Sequence, residues 1–167
     1  MSVLNKKFNE MIPTINEAIT FAKNLKRARD NFSGRYPNMH TASQIMSRRE
    51  EYDNDPDINR TKKEFYDFFN RLSYDDVVLI EAVMYIGRDE RNPVEYLEEK
   101  QEVLDEGGYW EEDEAGVFDS PQKKLFDHMK HIKTPPNTKA ISIDTMYSKA
   151  PLAEYLKRGV KVLTAEY

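Results

Sequence analysis

The sequence contains no cysteine. That excludes disulfides, thiolate nucleophiles and cysteine-built zinc sites together, and it fits a reducing compartment. Glycine is scarce at six residues, none of them arranged as a phosphate-cradling loop, and there is no Gly-x-Ser-x-Gly elbow around a nucleophilic serine. Long apolar runs are missing: no stretch approaches the ~18 residues that a bilayer-spanning helix needs. The first residues, Met1-Ser-Val-Leu-Asn-Lys-Lys, show neither an apolar segment nor a small-residue cleavage site, so no signal peptide is expected. These absences point to a soluble cytoplasmic protein without a recognisable catalytic motif, cofactor motif or membrane segment.

What is present is enough to build a core. Ten Tyr, eight Phe and one Trp supply bulky groups, and 33% charged against 39% hydrophobic residues is polar without reaching the disordered range. A chain of 167 residues fits one domain. The net charge of −5 is unevenly spread. Residues 1–50 carry nine bases against four acids, and residues 51–94 six against eleven. Residues 95–119 hold eleven acids and only Lys100, and residues 120–167 return to nine bases against four acids. An acidic middle between basic ends calls either for pairing within the chain or for a basic partner.

Helix signals dominate. Thr14 with Glu17, Thr61 with Glu64, and Ser73 with Asp76 each read as a capping box ahead of an apolar stripe. The first predicts a helix from Thr14 to about Phe32, broken by Gly34 and Pro37. The third predicts a helix ended by Gly87 at C′. Asn92-Pro93 and Ser120-Pro121 read as N-caps with proline at N1. Gly107-Gly108 closes the helix that Asn92 opens, and residues 107–119 read as an acidic loop. Thr134-Pro-Pro-Asn137 is expected to be extended. Ala140–Asp144 suits a short strand or a helical turn, and Pro151 opens a last helix. The expectation is an all-α single domain, residues 1–167, of six to eight short amphipathic helices, with room for one minor strand pair. Residues 1–60 form its N-terminal part and 61–163 its core.

Four clusters carry candidate chemistry. Asp53-Asn-Asp55-Pro-Asp57-Ile-Asn59-Arg-Thr61-Lys-Lys-Glu64 spaces oxygens as a calcium loop does, but Ile58 stands where that loop needs glycine. His128 and His131 share a helix face without further ligands nearby, and His40 is far off in sequence, so neither cluster is expected to hold a metal. Lys23, Lys26, Arg27 and Arg29, with Arg35, Arg48 and Arg49 beyond them, make a basic stretch that a phosphate backbone would suit. The plainer account is the polar face of the first helix, docked near the acidic middle. Residues 95–119 combine their carboxylates with Tyr96, Tyr109, Trp110 and Phe118, and Glu111, Glu112, Asp113 and Glu114 follow the tryptophan directly. Such density can imitate nucleic acid, and exposed aromatics serve as contact anchors.

Two patches carry a resemblance. Phe68-Phe69-Asn-Arg-Leu72-Ser-Tyr-Asp-Asp76-Val-Val-Leu-Ile-Glu-Ala82-Val-Met-Tyr-Ile-Gly87-Arg88 and Ala150-Pro151-Leu152-Ala-Glu-Tyr155-Leu156-Lys-Arg-Gly159 together resemble the bacterial domain-of-unknown-function family 3775 across roughly residues 61–163. Asp89 departs from the family's usual second glycine, and the acidic link is longer than the family pattern. The resemblance implies a helical fold and no activity. It also implies Gly87 as a helix terminator and Arg88 as a bridge to a carboxylate of the next helix.

The functional expectation is a non-enzymatic interaction or regulatory protein of a bacterium or phage. It would act through its acidic aromatic surface on a protein partner with a basic surface, with a homodimer as a second arrangement. Nucleic-acid binding through the basic first helix is the alternative, and an unrecognised hydrolase or metal-dependent enzyme the weaker one.

Overall fold

A computed structural model describes residues 3–36, 41–112 and 116–165. Among them are eight helices and no strand: α1 (Val3–Gly34), α2 (Ala42–Asp53), α3 (Pro56–Asn70), α4 (Tyr74–Asp89), α5 (Pro93–Asp105), α6 (Pro121–Ile132), α7 (Lys139–Tyr147) and α8 (Leu152–Thr164). The all-α expectation holds, and Ala140–Asp144 resolves as part of α7 rather than as a strand.

The helix starts show which local signals prevail. Ser73 accepts from Asp76 N, Asn92 from Glu95 N, Ser120 from Lys123 N and Thr138 from Ile141 N, each satisfying an amide that the first turn leaves without a partner. Thr14 is not a cap. Helix α1 runs through Pro13 because Met11 and Phe8, one turn and two turns before Ile15, continue its buried stripe. Burying those two side chains contributes about 1.5–3 kcal/mol each, enough to offset the ~3 kcal/mol cost of an interior proline. Thr61 is not a cap either. Asp55 caps α3 on Asp57 N and Ile58 N with Pro56 at N1, whereas the Thr61 hydroxyl donates back to Asp57 O and Ile58 O inside the helix. Thr134–Asn137 is a turn with a cis Pro135–Pro136 bond, not an extended segment.

Helix α4 is the central element, buried along almost its whole length from Val77 to Gly87 and packed by α8, α6 and α7. Gly87 lies inside α4, not beyond its end. A Cβ there would sit 1.7 Å from the Tyr155 carbonyl oxygen, and one on Gly159 would sit 2.0 Å from the Val83 carbonyl oxygen. These two glycines let the backbones of α4 and α8 touch. Helix α1 lies across α3, α8 and α6 and closes the core with Ile15, Ala18, Ala22 and Leu25. A satellite cluster of Ala28, Phe32 and Ile58, with Tyr36 and Tyr52, ties α1 to α2 and α3. Helix α2 buries no residue, and α5 packs extensively against no other helix. No helix among the described residues is long and apolar enough to cross a membrane.

Candidate functional site

Helix α5 and the following loop contain the acidic aromatic cluster. Tyr96 is 1% exposed and is the small core of this region, with Trp110 edge-on at 5.4 Å and Phe118 at 6.0 Å. Its hydroxyl accepts from Trp110 Nε1 (3.1 Å) and donates to Glu112 Oε2 (3.3 Å), and Lys100 Nζ holds the other Glu112 oxygen at 2.6 Å. The expectation that Tyr96 faces a partner is corrected, since it is buried; Trp110, partly exposed, folds the loop back onto α5. The buried phenol must find a partner, and the partly buried indole N–H supplies one. Tyr109, at 89% exposed, and Phe118, about half exposed, do point outward. Glu111 is exposed, while Asp113 and Glu114 lie outside the described residues.

The outer side of α5 carries a second apolar line. Val94, Leu97 and Leu104 are each about half exposed, and at 100° per residue they fall within an arc of about 80°. Glu98 and Asp105 border that line. Part of the acidity is matched internally, though not by the first helix. Glu95 meets Arg158 (3.0 Å) and Lys161 (3.4 Å) of α8, Glu99 meets Arg91, and Asp119 meets Lys123. Glu98, Glu102, Glu106 and Glu111 meet no cation among the described residues. A cleft of about 840 Å³ lies between the α4–α5 turn and this loop, lined by Arg91, Tyr96, Tyr109 and Trp110 among others. Its two sides are joined by Lys124. That side chain is buried, and its Nζ donates to Arg91 O (3.2 Å) and Val117 O (3.0 Å), with Glu90 Oε2 at 3.9 Å. Burial lowers its pKa, against the pull of Glu90.

Lys23, Lys26 and Arg27 are exposed on one face of α1, but Arg29 does not join them. Arg29 is half-buried, donates to Tyr52 Oη (3.1 Å) and stands 4.5 Å over the Tyr147 ring. Lys26 pairs with Asp30, and Lys157 beside Lys23 holds that ammonium below its usual pKa. Arg27 is exposed. The oxygen-rich run 53–64 disperses: Asp55 caps α3 and meets Arg35, while Asp57 and Glu64 both turn to Arg60. Among the described residues no group of three or more His, Asp or Glu side chains could hold a metal ion. His40 lies outside them.

A second cleft, of about 580 Å³, was not read from the sequence. It lies between α4, α6 and α7, and its lining includes Glu81, Tyr85, Arg88, Asp89, His128, His131, Ile132, Asn137 and Thr145. Arg88 does not bridge to a neighbouring helix. It grips the adjacent Asp89 with two hydrogen bonds (2.7 and 2.8 Å) and stands 4.7 Å over the Tyr85 ring, and Asp89 is correspondingly held below the usual carboxylate pKa. His128 Nε2 lies 3.1 Å from Glu90 Oε1, and its ring stacks parallel to Tyr85. The available signal was Glu81, the single charged residue in the run Val77–Ile86.

Compared with protein-family models, curated proteins and solved structures, the chain matches none.

Proposed function

We propose that this chain is a non-enzymatic interaction or regulatory module, acting in the cytoplasm, that seats a basic amphipathic helix of a protein partner on the outer face of α5 and the adjoining loop. One observation carries the reading. Val94, Leu97 and Leu104 form an aligned apolar stripe on a helix whose opposite side already holds its core residue, Tyr96. An amphipathic helix buries one stripe against its own core; a second, outward stripe is available to another molecule. The bordering carboxylates select the occupant's charge, because a segment carrying Lys or Arg beside its own leucines matches both stripe and border.

Fluorescence anisotropy with a labelled leucine–lysine helical peptide tests this, with a scrambled peptide and a leucine–glutamate peptide as controls. The leucine–lysine peptide is expected to bind, roughly tenfold more weakly when Leu97→Ser and Leu104→Ser are combined, since a few central apolar residues dominate such contacts. Equal binding by parent and double variant, or binding of the scrambled peptide as well, overturns the proposal. Light scattering that gives a dimer mass in low salt, lost in the same variant, assigns the face to a second copy instead. Nucleic-acid binding through α1 has less support, because Arg29 is committed to Tyr52 and Tyr147. A shift of generic DNA or RNA on a gel, lost with Lys23→Gln and Arg27→Gln, would favour it.

A further inference from the structure

Glu81 sits where the packing asks for leucine. Leu79, Ile80, Ala82 and Val83 around it are buried, and Glu81 itself is 4% exposed. A buried carboxyl is tolerated only with partners. The partners present are a short directed chain. Asn137 Nδ2 donates to Tyr74 Oη (3.0 Å) and to Ser142 Oγ (2.9 Å), which spends both amide hydrogens. Ser142 Oγ thus already accepts a bond, which leaves its own hydrogen for the neighbouring Glu81 carboxyl. That supplies one donor to a group with two oxygens. Glu81 Oε2 is buried and has no hydrogen-bond partner.

Of the other groups of the cleft, Arg88 is taken by Asp89 and His128 faces Glu90, while His131 completes the lining. Lys149 acts on Glu81 only through its field, without an ion pair, and burial, the larger influence, raises the Glu81 pKa. Glu81, the buried carboxyl of the lining, therefore lacks an ion-pair partner, and the cleft falls in the size range of small-molecule sites. An unpartnered acceptor calls for N–H donors that carry positive charge. Ile132 and the Tyr85 ring provide an apolar wall for a short alkyl stem.

We propose that the cleft between α4, α6 and α7 binds a small organic cation, an alkylammonium or alkylguanidinium, whose N–H groups reach Glu81 Oε2 and whose stem lies against Tyr85 and Ile132. This inference stands apart from the α5 surface and does not depend on it.

The test is isothermal titration of the full chain with butylammonium and with agmatine, beside inorganic phosphate. Parent protein is expected to take up at least one of the two cations saturably at one site. Glu81→Gln, which keeps shape and removes charge, should weaken that binding roughly tenfold or more. A surface control, Glu111→Gln with Glu112→Gln, should leave it unchanged. A second variant, Thr145→Lys, puts a cation at the rim and should also abolish uptake, so the result does not hinge on Glu81→Gln folding. Absence of saturable binding by either cation overturns the proposal, as does equal binding by Glu81→Gln and by Thr145→Lys. Loss of binding in the surface control overturns it too, and phosphate binding lost with Arg88→Gln would make this an anion site.

Discussion

Replacing Gly87 with alanine tests how closely α4 and α8 are joined. The new Cβ would lie 1.7 Å from the Tyr155 carbonyl oxygen, 2.6 Å from Gly159 N and 2.7 Å from the Tyr155 carbonyl carbon. All three are backbone atoms, so no side-chain rotation relieves the clash, and the helices must separate by more than an ångström. Alanine returns about 1 kcal/mol of helix propensity. Against this, overpacking costs typically 1–3 kcal/mol where neighbours can shift, and more where they cannot. Separation also loosens Leu152, Leu156 and Val162, buried residues of α8. A net loss of about 2 kcal/mol is expected, which for a chain of this length lowers Tm by roughly 4–8 °C. Urea unfolding followed by circular dichroism at 222 nm measures it. Gly159→Ala, whose Cβ would meet Val83 O at 2.0 Å, should behave alike. The double variant should cost less than the sum, because one separation relieves both clashes. Gly34→Ala, with nothing within 4 Å, is the control and should be neutral or slightly stabilising. A Gly87→Ala protein as stable as its parent would refute the touching-backbone geometry.

Two further outcomes can be checked. Burial raises the Glu81 pKa above its ordinary 4.5, so ionisation opposes folding: the penalty is absent below about pH 4 and grows as pH rises through the raised value. The parent should therefore lose stability relative to Glu81→Gln between pH 4 and pH 8 in urea titrations, a difference that isolates Glu81 because every other charged group is common to both proteins; a constant difference across that range contradicts the assignment. Tyr96→Phe deletes the hydroxyl that joins Trp110 to Glu112, and should cost about 0.5–1.5 kcal/mol and red-shift the emission of Trp110, the only tryptophan; an unshifted spectrum would show that the loop does not rely on that bond.

The starts of α4, α5 and α6 were legible because serine or asparagine at the cap, with proline at N1 in two of them, acts locally. Thr14 and Thr61 carried the same spacing, but stronger information lay upstream: buried Phe8 and Met11 in one case, Asp55-Pro56 in the other. Thr41 with Gln44 is a true capping box, yet α2 buries nothing, so no apolar stripe marks it in the sequence. Gly87 reads as a terminator in one dimension; only the approach of Gly159 reveals it as a crossing point. These two glycines are where α4 and α8 meet. At the acidic surface, composition identified the region but not its inside and outside. Tyr96 and Trp110 are indistinguishable from Tyr109 until α5 has turned. Glu81 was visible as a lone charge in an apolar run, but Ser142 and Asn137 lie more than fifty residues away and converge on it only through the fold.

The buried ammonium of Lys124 touches the carbonyls of both Arg91 and Val117, so the chain that leaves α4 comes back to its own point of departure before α6 begins. Everything between those two carbonyls is an excursion with a fixed gate. The chain-entropy cost of closing such a loop rises only by about 0.6 kcal/mol for each doubling of its length. Residues can thus be added to or removed from the acidic segment at little cost to the helices beneath it. The acidic segment is free to vary in size and sequence while the core keeps its architecture.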